Sequence, residues 1–345
     1  MTKQIMVGGV PIGGGAPVTI QSMTNTRTDD VEATLHQIRT LAAAGCEIIR
    51  VAVPDMAAAK AVGKIKEESP IPVVVDIHFD YKLALEAIAA GADKVRINPG
   101  NIGGADHVKA VAQVCARRGV PIRIGVNGGS LEKPLLAKYG GVCPEAMVES
   151  AFGHIRLLNQ FDFDDICVSL KSSSVPMTME AYQLMSQASD YPLHIGVTEA
   201  GTVRMGTLKS AVGIGGLLAL GIGDTMRVSL SADPVEEVYA AKEILKAAGV
   251  RKEGAELVSC PTCGRTRIDL IALANEVEER LKAVDKPITV AVMGCVVNGP
   301  GEAYAADCGI AGGVGEGLLF KKGQIIKKVP QEQLVEELFA LIETL

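Results

Sequence analysis

The stretch from Val73 to Pro99 reads VVVDIHFDYKLALEAIAAGADKVRINP and contains one complete strand–helix–strand unit. Two aliphatic runs, Val73–His78 and Lys94–Pro99, flank the amphipathic segment Tyr81–Ala90. Gly91 follows that segment, as is typical of a helix that ends in a left-handed residue. A strand followed by a helix and a second aliphatic strand is the repeating unit of parallel α/β proteins.

The same alternation extends over the first 250 residues of the chain. It predicts eight strands, at Val18–Met23, Glu47–Val53, Val73–His78, Lys94–Pro99, Pro121–Asn127, Asp165–Ser173, Leu193–Gly201 and Thr225–Ser231. Amphipathic helices such as Asp30–Ala44 and Pro234–Ala248 lie between them. Eight regular units favour a closed (β/α)8 TIM barrel over residues 1–250 in preference to an open doubly wound sheet.

The pattern changes after Gly249, and residues 251–345 are predicted to form a small α+β domain. Its predicted elements are a strand at Glu256–Cys260, a helix at Arg267–Val284, a strand at Ile288–Val297, a glycine-rich hairpin at Gly309–Gly323 and a closing helix at Gln331–Leu345. A second glycine-rich run, at residues 213–216, precedes a strand and lacks the context of a dinucleotide-binding loop, so we assign it to close packing of a helix on the barrel.

Composition excludes several classes of function. The 345 residues carry a formal charge of −6 and no dense Lys/Arg run, which argues against a nucleic-acid-binding face. No signal-peptide layout and no apolar run long enough for a membrane span is visible, so we expect a cytoplasmic protein. Eight cysteines in such a protein indicate metal binding or redox chemistry more than a disulfide framework.

Polar side chains concentrate at the carboxyl ends of the predicted barrel strands, where the active sites of TIM barrels lie. They are Arg50, Asp76, His78, Arg96, Asn98, Arg123, Asn127, Ser169, Lys171, Glu199, Arg227 and Ser229. Four arginines and a lysine at one mouth predict a bound phosphate or diphosphate. The alternative is pairing within the barrel, for which the strand ends supply only Asp76 and Glu199. His78 by itself predicts little, whereas Glu199 in a basic pocket could donate or accept a proton.

Three cysteines of the small domain have the spacing of a metal site. Cys260-Pro-Thr-Cys263 follows a predicted strand, and Cys295 ends the next one. Structural zinc normally takes four closed ligands, and Cys308 could supply the fourth. Three cysteines with a different fourth ligand fit a 4Fe–4S cluster better, because departures from four thiolates tend to be functional. The C-x3-C-x2-C spacing of radical enzymes that use S-adenosylmethionine is absent.

Longer motifs give the chain a resemblance to a known family. They are Cys260-Pro-Thr-Cys263-Gly-Arg-Thr, Cys295-Val-Val-Asn298-Gly-Pro-Gly-Glu302, Lys94-Val-Arg96-Ile-Asn98-Pro-Gly-Asn101, Ile124-Gly-Val-Asn127-Gly-Gly-Ser-Leu131 and Gly196-Val-Thr-Glu199-Ala-Gly201. Together they resemble the 4-hydroxy-3-methylbut-2-enyl diphosphate synthases, iron–sulfur enzymes of the methylerythritol phosphate route to isoprenoids. The resemblance covers essentially the whole chain. No large insertion separates the two predicted domains, which resembles the compact bacterial form of the family.

The resemblance implies reductive ring opening of 2-C-methyl-D-erythritol 2,4-cyclodiphosphate, with electrons from ferredoxin or flavodoxin. It implies that Arg50, Arg96, Arg123 and Lys171 hold the diphosphate, and that Asp76, Asn98 and Asn127 hold the polyol end. Arg227, Ser229 and Asn298 would shape the pocket, and Glu199 would deliver a proton. It also implies a 4Fe–4S cluster on Cys260, Cys263, Cys295 and Glu302, with Glu302 as the exchangeable, catalytic ligand.

A homodimer with its active site between subunits is a further expectation. The predicted helix Pro234–Ala248 runs about 22 Å down the barrel wall at the standard helical rise. The seven residues 249–255 that follow span at most about 25 Å, too little to return comfortably to the same barrel's mouth.

The rival interpretations of the protein's function are another reductase of phosphorylated metabolites with a barrel and a cluster, and a non-enzymatic zinc protein that binds a partner.

Overall fold

The computed structural model describes residues 1–98, 101–252, 254–295 and 303–345. They divide into two units, Met1–Arg251 and Lys252–Leu345, and each has a hydrophobic core of its own. Within these ranges, no helix has the length and apolar character needed to cross a membrane.

Eight parallel strands in the described part of the first unit form the predicted barrel, and each lies within one of the predicted aliphatic runs. They are β3 (Thr19–Met23), β4 (Ile48–Ala52), β5 (Val73–Asp76), β6 (Lys94–Ile97), β7 (Ile122–Asn127), β8 (Ile166–Lys171), β9 (His194–Ile195) and β10 (Thr225–Met226). Strands pair in chain order from β3 to β8, and β10 pairs with both β3 and β9. A parallel bridge between Val168 of β8 and Leu193, just before β9, completes the ring. The TIM-barrel prediction is confirmed.

The helices of the first unit surround this ring. They are α1 (Val31–Ala44), α2 (Met56–Glu68), α3 (Tyr81–Ala89), α4 (Ala105–Arg118), α5 (Lys133–Tyr139), α6 (Pro144–Asn159), α7 (Val175–Ala188), α8 (Val203–Ser210), α9 (Gly216–Ala219) and α10 (Pro234–Ala247). In α1 the Asp30 side chain accepts a hydrogen bond from the backbone of Ala33, and Gly45 ends the helix at φ 109°. Gly91, the predicted helix stop after α3, also has positive φ, as do Gly119 after α4 and Gly249 after α10.

The glycine-rich run of residues 213–216 covers the end of a π-helical turn, Ala211–Gly215, and the first residue of α9. A Cβ at Gly213 would come within 2.7 Å of Val197 Cγ2, on the barrel side. The predicted role in close packing on the barrel is therefore confirmed for Gly213.

A β-hairpin closes the amino-terminal end of the barrel. Its strands β1 (Ile5–Val7) and β2 (Val10–Ile12) pair antiparallel. Ile5, Val7 and Ile12 are buried in one cluster with Ile48, Val74 and Cys167, which lie near the starts of their strands. The barrel interior is thereby sealed at the end opposite to the polar strand ends.

The described part of the second unit contains a five-stranded sheet in the order β11 to β15. The strands are β11 (Glu256–Ser259), β12 (Thr289–Met293), β13 (Cys308–Gly312), β14 (Glu316–Lys321) and β15 (Gln324–Pro330), and the helices are α11 (Leu270–Leu281) and α12 (Leu334–Glu343). The first three strands run parallel, and β14 and β15 are antiparallel to their neighbours. The predicted strand at residues 288–297 reaches past the described residues at its end.

Candidate active site

Strand register places three of the predicted charged residues side by side. Asp76 of β5 pairs with Arg96 of β6, and Arg96 pairs with Arg123 of β7. Residues at equal register on neighbouring strands point to the same face of a sheet. Asp76 is 3% exposed, Arg96 is 8% exposed and Arg123 is 1% exposed, so the three form a buried belt inside the barrel.

Asp76 is shared between two arginines. Its Oδ1 lies 3.0 Å from Arg96 Nη1, and its Oδ2 lies 3.7 Å from Arg50 Nε. Burial by itself would raise the pKa of Asp76, but the charges of Arg50, Arg96 and Arg123 lower it to about 2. The carboxylate stays ionised, and its single negative charge only partly neutralises the several cations around it.

Arg123 is the least compensated of these cations. Within the described part of the chain, its Nε and Nη2 have no hydrogen-bond partner. Burial and the neighbouring Arg96 lower its pKa to about 10, which still leaves the guanidinium charged at neutral pH. Lys171, at the end of β8, is also buried, and burial and the charges of Arg123 and Arg50 hold its pKa well below the ordinary value. A buried cation without a partner is costly, so this belt is suited to an anionic ligand.

Arg227 differs from the others because it has its own carboxylate. Its Nη2 lies 3.2 Å from Oε1 of Glu237 on α10, and its Nε donates to Oε2 at 3.2 Å. The backbone N–H of Leu230 also donates to Glu237, at 3.1 Å. Glu237, on a helix behind the strands, is therefore a third carboxylate beside the two that were predicted at the strand ends, Asp76 and Glu199.

Two glycines make room for the cations. A Cβ at Gly125 of β7 would lie 2.5 Å from Arg96 Nε. A Cβ at Gly196, just after β9, would lie 2.8 Å from Lys171 Nζ and 2.6 Å from the backbone oxygen of Arg227. Sequence reasoning missed both residues, although a glycine within a strand next to polar residues is a known sign of close approach.

The remaining predicted residues of the barrel fall into two groups. Asn98 and Ser169 are buried, and Asn127 and Ser229 are half-buried at the carboxyl ends of their strands. His78 and Glu199 are exposed. The backbone N–H of Thr198 donates to the oxygen of Ser172 at 3.2 Å, which places the Glu199 loop beside the end of β8. Glu199 has φ 51°, a conformation that is uncommon for residues other than glycine and is concentrated at functional sites.

Two cysteines of the second unit lie at the carboxyl ends of neighbouring parallel strands. Cys260 directly follows β11, and its backbone N–H donates to Val292 of β12 at 3.3 Å. The backbone N–H of Gly294 donates to Cys260 Sγ at 3.1 Å, and Cys295 is the next residue. Cys263 is exposed, and a backbone hydrogen bond from Arg265 lowers the pKa of its thiol, assisted by the Arg265 and Thr266 side chains. A lowered thiol pKa favours the thiolate that metals bind.

Cys308 lies at the other end of this sheet. It pairs with Val290 near the start of β12, whereas Cys295 lies beyond the end of that strand. Burial raises the pKa of Cys308 to about 11, which disfavours a metal-binding thiolate. Among the described residues, no three His, Cys, Asp or Glu side chains stand close enough together to hold a metal ion. The predicted site residues Asn298 and Glu302 lie outside the described residues.

Comparisons with known families cover both units. Residues 2–242 match the model described as the GcpE TIM-barrel domain. Residues 256–344 match the model described as the GcpE protein C-terminal domain.

Two curated relatives match over nearly their full lengths. A 4-hydroxy-3-methylbut-2-en-1-yl diphosphate synthase (flavodoxin) of Ruminiclostridium cellulolyticum is 61% identical, over 98% of this chain and 96% of the relative. The protein of the same name from Geobacter sulfurreducens is 62% identical, over 99% of this chain and 97% of the relative. Among solved structures, the type I 3-dehydroquinate dehydratase of Clostridium difficile covers 71% of this chain and 97% of its own, with a TM-score of 0.53 and 14% identity. At that identity the likeness concerns the barrel fold alone.

Proposed function

Because the chain belongs to the GcpE family, we propose that it is an oxidoreductase that converts 2-C-methyl-D-erythritol 2,4-cyclodiphosphate into 4-hydroxy-3-methylbut-2-enyl diphosphate. The reaction opens the ring, consumes two electrons and two protons, and releases water. Flavodoxin, which the names of the curated relatives specify, is the proposed electron donor, and ferredoxin is the alternative donor.

The observation that carries this proposal is Arg123, a buried guanidinium with two N–H groups that have no partner among the described residues. Arginine meets phosphate oxygens bidentately, and a dianionic ring would offset the excess positive charge around it. We assign the diphosphate to Arg50, Arg96, Arg123 and Lys171, and the polyol end to Asp76, Asn98 and Asn127. The rest of the substrate-binding set is His78, Ser169, Arg227, Ser229 and Asn298.

The proposed cofactor is a 4Fe–4S cluster on Cys260, Cys263, Cys295 and Glu302. The donor set of the described residues fits such a group, since Cys260 and Cys295 end adjacent strands and Cys263 has a lowered thiol pKa. When bound, the cluster would supply electrons one at a time for cleavage of the carbon–oxygen bond. The assignment of Glu302 rests on its motif in the sequence.

The chain's own residues would provide the remaining chemistry. The arginines hold the diphosphate and offset its charge as the leaving oxygen separates from carbon. Asp76, ionised and fixed by two arginines, orients them and accepts hydrogen bonds from the polyol. Glu199 delivers the proton that converts the departing hydroxyl into water.

Iron analysis and turnover test the proposal together. Protein purified without oxygen should be brown, contain four irons per chain, and reduce the cyclic diphosphate with electrons from flavodoxin. One zinc per chain without turnover would favour the non-enzymatic alternative. Glu302→Ala should keep the three cysteines and lose most turnover, and wild-type turnover in that variant would remove Glu302 from the catalytic set.

We also propose a homodimer whose active site is shared between subunits. Support comes from chain geometry. The 14 residues of α10 carry the chain about 21 Å away from the strand ends. The seven residues that follow the helix are too few to return comfortably to the mouth of the same barrel. Coexpression of Glu199→Ala with Cys263→Ser should give mixed dimers with one intact site. Random pairing would restore about a quarter of wild-type activity per chain. No recovery in confirmed mixed dimers would show that each site is built within one chain.

A further inference from the structure

Lys94 is a buried cation to which neither the family match nor the proposed reaction gives a task. It opens β6, two residues before Arg96 on the same face of that strand. The side chain is 0% exposed, and its Nζ has no hydrogen-bond partner within the described ranges. It therefore lies one layer below the charged belt, inside the barrel.

The groups around Lys94 offer it little compensation. The titratable or charged side chains that act on it or are acted on by it come from four other strands: Arg50, Arg123, Cys167 and His194. The carboxylate of Asp76 stands one layer higher, where Arg96 and Arg50 already engage it. From below, Ile5, Val7 and Ile12 of the β1–β2 hairpin close off the space around Lys94, which we call the chamber.

These surroundings leave the ammonium form at a disadvantage. Burial, and secondarily the charges of Arg123 and Arg50, lower the pKa of Lys94 to about 8, with Cys167 acting in the opposite direction. Near pH 8 the free protein is thus divided between the amine and the ammonium forms. A dianion placed on the belt directly above would favour the ammonium form.

We propose that Lys94 is a positioning residue that takes up a proton when the diphosphate binds, so that substrate affinity and protonation of this buried amine are linked. The linkage is reciprocal: a ligand that favours the charged amine binds more tightly to protein that already carries the charge. Lys94 need not touch the substrate, since it acts through the field it adds beneath Arg123 and Arg96.

The proposed substrate makes this linkage measurable. Each phosphorus of a cyclic diphosphate carries a single, strongly acidic oxygen, so the ligand has no group that titrates between pH 6.5 and 9. Any proton taken up in that range must go to the protein. The inference rests on the proposed function, because it assumes that the cyclic diphosphate binds at the charged belt.

The test is calorimetry of 2-C-methyl-D-erythritol 2,4-cyclodiphosphate binding to the intact protein, in two buffers that differ in ionisation enthalpy. At pH 8 the wild type should take up about half a proton, and at pH 6.5 almost none. Affinity should weaken about tenfold from pH 7 to pH 9. Lys94→Met should abolish both effects, whereas His194→Gln, which alters another buried titratable group of the chamber, should retain them.

The outcomes separate the two proposals. Failure of the wild type to bind the cyclic diphosphate would overturn the proposed function and this inference with it. Binding without proton uptake at pH 8 would overturn the inference alone, and so would uptake that persists in Lys94→Met, which would assign the proton to another group. If Lys94→Met fails to fold by circular dichroism, Lys94→Gln replaces it, and the wild-type measurement decides the linkage by itself.

Discussion

The barrel mouth and the cysteine end of the second unit are both built at the carboxyl ends of parallel strands, but their side chains are held in different ways. Asp76, Arg96 and Arg123 belong to the strands themselves, in register and buried. Cys263 lies three residues beyond its neighbour Cys260 and is exposed, and Cys295 lies beyond the end of β12.

This difference indicates two kinds of preparation for a ligand. The barrel fixes its cations before the substrate arrives, so a change there should cost binding energy in a protein that otherwise stays intact. The cysteines lie on connecting segments, and sites of that kind are commonly completed by the metal itself. A change at the cysteine end should therefore remove the cofactor and leave the barrel as it was.

The largest expected effect is that of Cys263→Ser. Turnover should fall by at least about a hundredfold, since even loss of an outer-shell partner of a metal ligand costs 10–100-fold. Iron content should fall in parallel. The affinity for the cyclic diphosphate should stay at the wild-type value, because a change at the cysteine end leaves the barrel as it was. Full turnover by colourless protein would contradict the cluster assignment.

Arg123→Ala should have the next largest effect, through binding. Loss of one partner of a buried charged pair costs roughly 2–5 kcal/mol, so the binding free energy of the cyclic diphosphate should become less favourable by that amount. Iron content should be unchanged. Arg117→Ala, at an exposed position near the end of α4, is the matched control. Equal affinities in the two variants would remove Arg123 from the diphosphate site.

Gly125→Ala tests whether the belt is as rigid as its register suggests. The new Cβ would lie 2.5 Å from Arg96 Nε, so the guanidinium must move away from Asp76. We expect affinity for the cyclic diphosphate to weaken about tenfold, equal to about 1.4 kcal/mol. Gly153→Ala on α6, where the described residues place no atom beyond the adjoining helix backbone within 4 Å of the added Cβ, should bind like the wild type. Unchanged affinity in Gly125→Ala would mean that the belt adapts.

The smallest effect is expected for Cys308→Ala. Iron content and turnover should remain at wild-type values, because Cys308 lies at the start of its strand, away from Cys260 and Cys295. Loss of a buried sulfur should lower the free energy of unfolding by about 1 kcal/mol, measured by denaturant titration. Loss of iron in this variant would restore Cys308 as a ligand.

The sequence predicted the barrel because buried parallel strands leave aliphatic runs at regular spacing, as at β5 and β6. It also predicted that Arg96 and Arg123 converge, since that follows from the barrel rule once the strands are placed. The pairing of Arg227 with Glu237 was not predicted, because it depends on how closely α10 packs against the strand ends.

The β1–β2 hairpin and the edge strand β15 were missed for another reason. Each strand of the hairpin has three residues, too few for a periodic pattern to emerge. In β15 only Val329 is buried, so the strand carries no continuous apolar run. Short or one-sided elements of this kind are recognised by their partners in space and not by their own sequence.

The seam that closes the barrel also affects how the chain folds. Thr225 and Met226 pair with Thr19 and Ile20, residues roughly two hundred positions away, through a ladder of two residues. Contacts that distant are entropically expensive to form, and this ladder is short. We therefore expect ring closure to be a late event in refolding and β10 to exchange its amide hydrogens faster than β7, whose six residues all pair with β8 and whose first three also pair with β6.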